Sequence, residues 1–249
     1  MTVWTTSNPI VLVGGWLSSA QDYLGLARLL SRPPHNRIVY IADISRREWF
    51  RMRDPDFRYV LNIVARTVDL ALHETGSKRV DIIGHSAGGR IARAYLGDQP
   101  HLGVVYNGQR FVSSLITLGT PHTTWEVFVR QFGQFVNDAY PGAFYPHIAY
   151  RSVAGESVQG KRFGTPEEMF AHRSYELVIN DGQSIGDGVS PTSSCYLPGA
   201  ENLILPGVRH APYNAPRRWY GAPAVMMQWF GDQNLPVELN LTDSTAIPG

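Results

Sequence analysis

The chain has 249 residues, a formal net charge of +1, and 17% charged against 43% hydrophobic residues. That balance belongs to a globular protein able to bury a sizeable core, and it gives no electrostatic basis for binding nucleic acid or an anionic membrane. Cys195 is the only cysteine, which excludes an intramolecular disulfide and a cysteine-based zinc site.

The N-terminal stretch MTVWTTSNPIVLVGGW lacks a basic leader, and its apolar run is soon broken by glycine. An export signal is therefore not expected. No run approaches the roughly 18 apolar residues of a membrane span. Together with the single cysteine, these features set the expectation of a soluble, cytoplasmic protein. Arg46, Arg47, Arg51 and Arg53 are interleaved with Asp43, Glu48, Asp54 and Asp56, so this segment reads as a solvated face rather than a phosphate site.

In chain order, PIVLVGG at 9–15 is a buried strand ending in glycines, and QDYLGLARLLS at 21–31 has helical spacing. RIVYIAD at 37–43 is a second strand. YVLNIVARTVDLALHETG at 59–76 is an amphipathic helix. RVDIIG at 79–84 is a third strand, AGGRIARAYLGD at 87–98 a helix, and FVSSLITLGTP at 111–121 a fourth strand closing in a Gly-Thr-Pro turn. YRSVAGE at 150–156 and NLILPG at 202–207 are two further strands. RRWYGAPAVMMQWF at 217–230 is expected as the last helix. This alternation with near-continuous apolar strands predicts an α/β architecture, a mostly parallel sheet with helices on both faces. A single domain over 1–233 is expected, followed by a loose tail at 234–249.

Two long segments interrupt the alternation, an aromatic one at 122–149 and a glycine-rich polar one at 157–186 without clear periodicity. Both follow the carboxyl end of a strand, the edge where open α/β sheets bind ligands. Both are expected to act as cap or lid segments.

Gly84-His85-Ser86-Ala87-Gly88 lies between the third strand and the following helix. This is the G-x-S-x-G pattern, in which a serine is held on a tight strand-to-helix turn whose glycines relieve crowding. A turn serine placed for local reasons is the alternative, and the flanking strand and helix favour a nucleophile. A serine hydroxyl needs a general base, usually a histidine held by a carboxylate. Of the downstream histidines 122, 147, 172 and 210, His210 falls just past the last strand, where a loop can swing it over the elbow. His85 is expected to pack beneath the turn. Asp187 in SIGDGVSP, Asp181 in INDGQ and Glu156 at a strand end are the candidate acids. The Val-Ser-Pro after Asp187 suggests a fixed loop, whereas Asn-Asp-Gly favours a turn without chemistry. The tetrahedral intermediate requires oxyanion donors, and the backbone N–H groups of Ala87 and Trp16 are best placed for that task. Neither a dinucleotide fingerprint nor a phosphate-binding loop occurs. No cofactor and no metal are expected.

With VLVGGW, IIGHSAGGRIAR, LITLGTPH, GDGVSP and LILPGVRH, the chain resembles the α/β-hydrolase superfamily, in its lipase-like and acyl-esterase branch, from about Pro9 to Phe230. The resemblance implies the α/β-hydrolase fold and makes the GDGVSP aspartate, Asp187, the triad acid. It also shows a departure: lipases of this type carry a histidine where Gly14 stands, which leaves Trp16 in the donor position but removes the expectation of the hydrogen bond that usually braces the oxyanion loop. Hydrolysis of a carboxylic ester by Ser86, His210 and Asp187 is the expected activity. Thioester hydrolysis, acyl transfer and a non-catalytic binding role on the same fold are the alternatives.

Trp125, Phe128, Val129, Phe132, Phe135 and Val136 fall on one face of a helix. Such a face commonly packs on its own domain. Read as a cap over Ser86, it makes Trp125, Phe128 and Phe132, with Leu17 and His85, the lining of an apolar pocket for a small-molecule or lipid-like ester. The same aromatic segment would serve transient contact with a membrane surface.

Overall fold

The computed structural model describes residues 7–126, 129–213 and 215–231. The first strand, β1 (Ile10–Val13), is buried at all four positions. With neither face open to water its side chains divide between two cores. Ile10 and Leu12 face one, Val11 and Val13 the other. Burying each such aliphatic side chain is worth about 1.5–3 kcal/mol.

The other members of the main sheet are β2 (Val39–Ile41), β3 (Val80–His85), β4 (Val112–Leu118), β5 (Ala149–Glu156) and β8 (Glu201–Pro206). Two short strands, β6 (Val158–Gln159) and β7 (Ile185–Gly186), form a separate antiparallel pair. The six strands lie in the order β2-β1-β3-β4-β5-β8 with every pairing parallel. The chain steps outward from β1 to β2, then crosses to β3 and builds away on the other side. This reversal opens a crevice at the carboxyl ends of β1 and β3, where the sequence places Gly14-Gly15-Trp16 and Ser86.

Helices cover both faces. On one side lie α2 (Arg58–Thr75), α3 (Ala87–Leu96) and α4 (Arg130–Ala139). Val60, Leu61, Val64, Val68 and Ala71 of α2 are fully buried at helical spacing. On the other lie α1 (Leu24–Ser31), through Leu26 and Leu30, and α6 (Pro223–Trp229), through Val225, Met226 and Trp229.

Three expectations are corrected. The last helix starts at Pro223, not at 217, because a proline fits only the first turn of a helix and Ala222 is extended before it. The 157–186 segment is not unpatterned: it holds α5 (Pro166–Ile179), 14 residues long. Thr165 accepts from the Glu168 amide and Glu168 Oε2 from the Thr165 amide, with proline at the first helical position. These reciprocal bonds satisfy amides that a helix start leaves unpaired. The aromatic face of 122–149, expected to cap the site, packs mainly inward. Phe132 and Val136 of α4 are buried, and the Phe132 ring stacks on Phe57 at 4.2 Å between centroids. Asp54 fixes the start of α4 by accepting from the Gln131 and Phe132 amides, each at 2.8 Å. The 234–249 tail and Phe128 lie outside the described residues. Among the described residues no helix is long and apolar enough to cross a membrane.

Candidate active site

β3 ends at His85 and α3 begins at Ala87, so Ser86 alone makes the turn, with φ 54° and ψ −125°. A non-glycine residue in such a conformation costs on the order of 1–3 kcal/mol and persists only when its surroundings enforce it. Here they do. The Ser86 amide donates to the Leu118 carbonyl at 2.8 Å, and the Thr120 hydroxyl donates to the Ser86 carbonyl at 2.8 Å. A side chain at Gly84 would place its Cβ 2.5 Å from the Gly89 Cα, so strand and helix meet this closely only without one. At Gly15 a Cβ would fall 2.8 Å from that of Ser86, which brings the loop after β1 directly against the serine.

The candidate acid and base are positioned by the β6–β7 pair and the exit of β8. The pairing of Val158 with Gly186 ties both ends of the 157–186 segment beside β5 and delivers Asp187 there. The His210 amide donates to the Asp187 carbonyl at 3.0 Å. His210 Nδ1–H donates to Asp187 Oδ2 at 2.7 Å, which leaves Nε2 as the proton acceptor of the ring. Asp187 Oδ1 accepts from the Val189 and Ser190 amides at 3.0 and 2.7 Å. The Asp187 side chain is fully buried. Burial alone would raise its pKa, but the electrostatic attraction and hydrogen bond of His210 and the two amides outweigh it and hold the group below its ordinary value. Tyr220 adds a second donor to Oδ2 at 2.8 Å. Burial first, then the neighbouring Asp187 charge, pushes this phenol well above its ordinary pKa, so it stays a donor.

The other candidates sit elsewhere. Asp181 accepts from the Gln183 amide and the Ser184 hydroxyl in an exposed turn. His172 pairs with Glu176 on α5. Buried His122 contacts Thr117, Ser152 and Arg93 and does not line the cavity around Ser86. Glu156 does not line the cavity that Ser86, Asp187 and His210 share. Ser86 and His210 both face that cavity without a hydrogen bond between them, a separation compatible with a candidate base and nucleophile that substrate would draw together.

The cavity measures about 1230 Å³. Leu17 and His85 line it, as expected. Trp125 and Phe132 do not: Trp125 is 61% exposed, with the Arg130 guanidinium over its ring, and Phe132 is core. Instead the apolar walls come from Trp49, Phe57 and Trp219 and from Phe170 and Val178 of α5. Residues 122–149 contribute Glu126, Val129 and Gln131. The Thr-Pro-Glu-Glu start of α5 was the sequence signal for this roof. Arg90, one helical turn past Ser86, also lines the cavity; burial lowers its pKa to about 10. Among the described residues no group of His, Cys, Asp and Glu is arranged to hold a metal ion.

The amides expected at the oxyanion site are Trp16 and Ala87. The neighbouring Gly15 N–H is taken by the Tyr23 hydroxyl at 2.8 Å, while among the described residues Trp16 and Ala87 N–H have no acceptor. The loop is braced despite Gly14: Ser18 Oγ donates to the Gly15 carbonyl at 2.5 Å and Trp49 Nε1 to the Ser18 carbonyl at 3.1 Å.

A family model described as the α/β hydrolase fold matches residues 8–158, well over half of the chain. The chain belongs to the α/β-hydrolase family. Its structure is similar to that of a Listeria innocua gene product, at 15% identity and a TM-score of 0.55 over 90% of this chain and 94% of that one. It also matches lipase B of Aspergillus fumigatus (11% identity, TM-score 0.46, 81% and 46% of the two chains) and an esterase from a marine microorganism (11%, 0.44, 85% and 92%). At these identities the likeness is one of fold. No curated protein matches the chain.

Proposed function

We propose that this α/β hydrolase cleaves carboxylic esters carrying a bulky apolar acyl or alcohol group, through Ser86, His210 and Asp187. The observation that carries this reading is the buried Asp187–His210 pair opening onto the same apolar cavity as a strained Ser86. His210 Nε2 takes the Ser86 proton as Oγ attacks the ester carbonyl, and the Trp16 and Ala87 amides receive the oxyanion. Protonated His210, held by Asp187, gives its proton to the leaving alkoxide. Water then repeats the sequence on the acyl-enzyme and frees the acid. The preference for a bulky ester rests on the cavity, which exceeds the roughly 300–1,000 Å³ of common small-ligand sites and has predominantly apolar walls.

A p-nitrophenyl ester series from acetyl to long-chain acyl tests this. Turnover that rises with chain length and vanishes in Ser86→Ala supports it, and no turnover of any ester contradicts it. Exposed Phe50 and Phe170 at the cavity rim are the side chains suited to brief contact with a lipid surface. Co-sedimentation with liposomes, lost in the double alanine variant, would support that contact; equal sedimentation of both would oppose it.

A further inference from the structure

The residue before the nucleophile is tied to both neighbouring loops. His85 is 7% exposed, and its Nε2 lies 2.9 Å from the His210 backbone carbonyl. A carbonyl only accepts, so Nε2 carries the hydrogen. Burial, reinforced by the electrostatic influence of the neighbouring His210, depresses the His85 pKa to about 3, so the ring is neutral and Nδ1 is an acceptor. The Tyr23 hydroxyl sits 2.8 Å from that Nδ1 and therefore donates to it. The same hydroxyl accepts the Gly15 N–H at 2.8 Å. One directed chain thus runs from Gly15 N–H to Tyr23 O–H to His85, and from His85 Nε2–H to the His210 carbonyl.

We propose that Tyr23 and His85 are positioning residues that lock the oxyanion loop, the nucleophile elbow and the base loop into one register, so that Trp16 N–H rather than Gly15 N–H is presented to the oxyanion. This rests on the esterase reading above. Each bond of the chain fixes a different catalytic part: the Gly15 peptide precedes Trp16, His85 precedes Ser86, and the His210 carbonyl belongs to the base itself. Tyr23, where the turn preceding α1 meets that helix, supplies from a neighbouring element the loop brace that Gly14 cannot. All members are buried, where a missing partner leaves an unpaired polar group rather than a water-bonded one. A displacement of the donor by an ångström is worth on the order of 100-fold in rate.

The test compares Tyr23→Phe, His85→Leu and His85→Gln with the parent on a long-chain p-nitrophenyl ester and with a trifluoromethyl ketone, which forms the oxyanion adduct. The expectation for Tyr23→Phe and His85→Leu is a kcat lowered about 10–100-fold at nearly constant KM, with ketone affinity falling in parallel. Glutamine retains a donor and an acceptor and is expected to recover part of the loss. Unchanged kcat and ketone affinity, or His85→Gln no better than His85→Leu, overturns the proposal. If the variants fail to fold, nitrogen NMR of the parent decides: the proposal requires His85 protonated at Nε2 and bare at Nδ1, and the opposite tautomer overturns it. Ser86→Ala separates the two claims. If it retains turnover, the nucleophile assignment fails; if it is inactive while Tyr23→Phe has full kcat, only the positioning role fails.

Discussion

Tyr220 donates a 2.8 Å hydrogen bond to Asp187 Oδ2, the same oxygen that holds His210. The Asp187 carboxylate is therefore saturated: two amides on one oxygen, an imidazole and a phenol on the other. Tyr220 also accepts the Gly155 amide at 2.7 Å. Removing its hydroxyl in Tyr220→Phe strips Asp187 of a donor and leaves a buried amide unpaired. The expected outcome is a loss of about 1–3 kcal/mol in stability by urea unfolding. With one donor fewer, the acid limb of the kcat/KM pH profile should move to higher pH. An unshifted profile would show that Tyr220 plays no part in holding the acid.

Asp187 is the buried partner of His210, whereas Asp181 caps an exposed turn and Glu156 stands outside the cavity. Asp187→Asn is expected to lower kcat by up to about 10⁴-fold, because an amide no longer stabilises the imidazolium or its tautomer. Asp181→Asn and Glu156→Gln should retain kcat within about twofold. Steady-state kinetics on one ester series ranks the three, and a larger loss in either of the last two would displace Asp187.

Substrate contacts should follow α5 rather than α4. Phe170→Ala is expected to raise KM for long acyl chains while leaving acetyl esters unaffected, since it lines the cavity from the roof. Phe132→Ala should instead cost about 3–5 kcal/mol of stability with little change in chain-length preference. Trp125→Ala should change neither. Chain-length selectivity altered by Trp125 rather than Phe170 would restore the aromatic segment as the pocket wall.

The contrast between those two helices shows what the sequence makes visible. The elbow is legible because glycines at fixed offsets between an apolar strand and a helix have few other uses, and the sheet because the central strands are mostly apolar runs, as in IVLV of β1. The 122–149 pattern reveals an amphipathic face but not its partner: periodicity cannot distinguish packing on Phe57 from roofing Ser86. α5 escapes the same test because its apolar residues circle the helix, with Tyr175 and Val178 buried and Phe170 and Leu177 exposed. Only its capping residues mark it. The Tyr23–His85 contact joins residues 62 positions apart and exists only once α1 and β3 are in place.

The buried histidines also set a pH dependence. His85 is held near pKa 3, and His122 lies well below 6.5, both chiefly by burial. Their depressed folded values mean the unfolded chain binds more protons below its ordinary value of 6.5. Their contribution is complete above that pH and is lost as pH falls from about 6.5 toward the folded values. Asp187, also depressed, adds its loss below its ordinary 3.8. The urea midpoint should fall between pH 7 and pH 5, and His85→Gln should fall less steeply. Equal slopes for parent and variant would contradict the assignment of a neutral His85.

The most direct test of the account is the site of covalent capture by a fluorophosphonate, read by mass spectrometry of the intact protein and its peptides. One adduct, on Ser86, is predicted, formed far more slowly in His210→Ala and Asp187→Asn and not at all in Ser86→Ala. A folded protein that forms no adduct, or one still labelled after Ser86→Ala, would contradict the claim that Ser86 is the nucleophile.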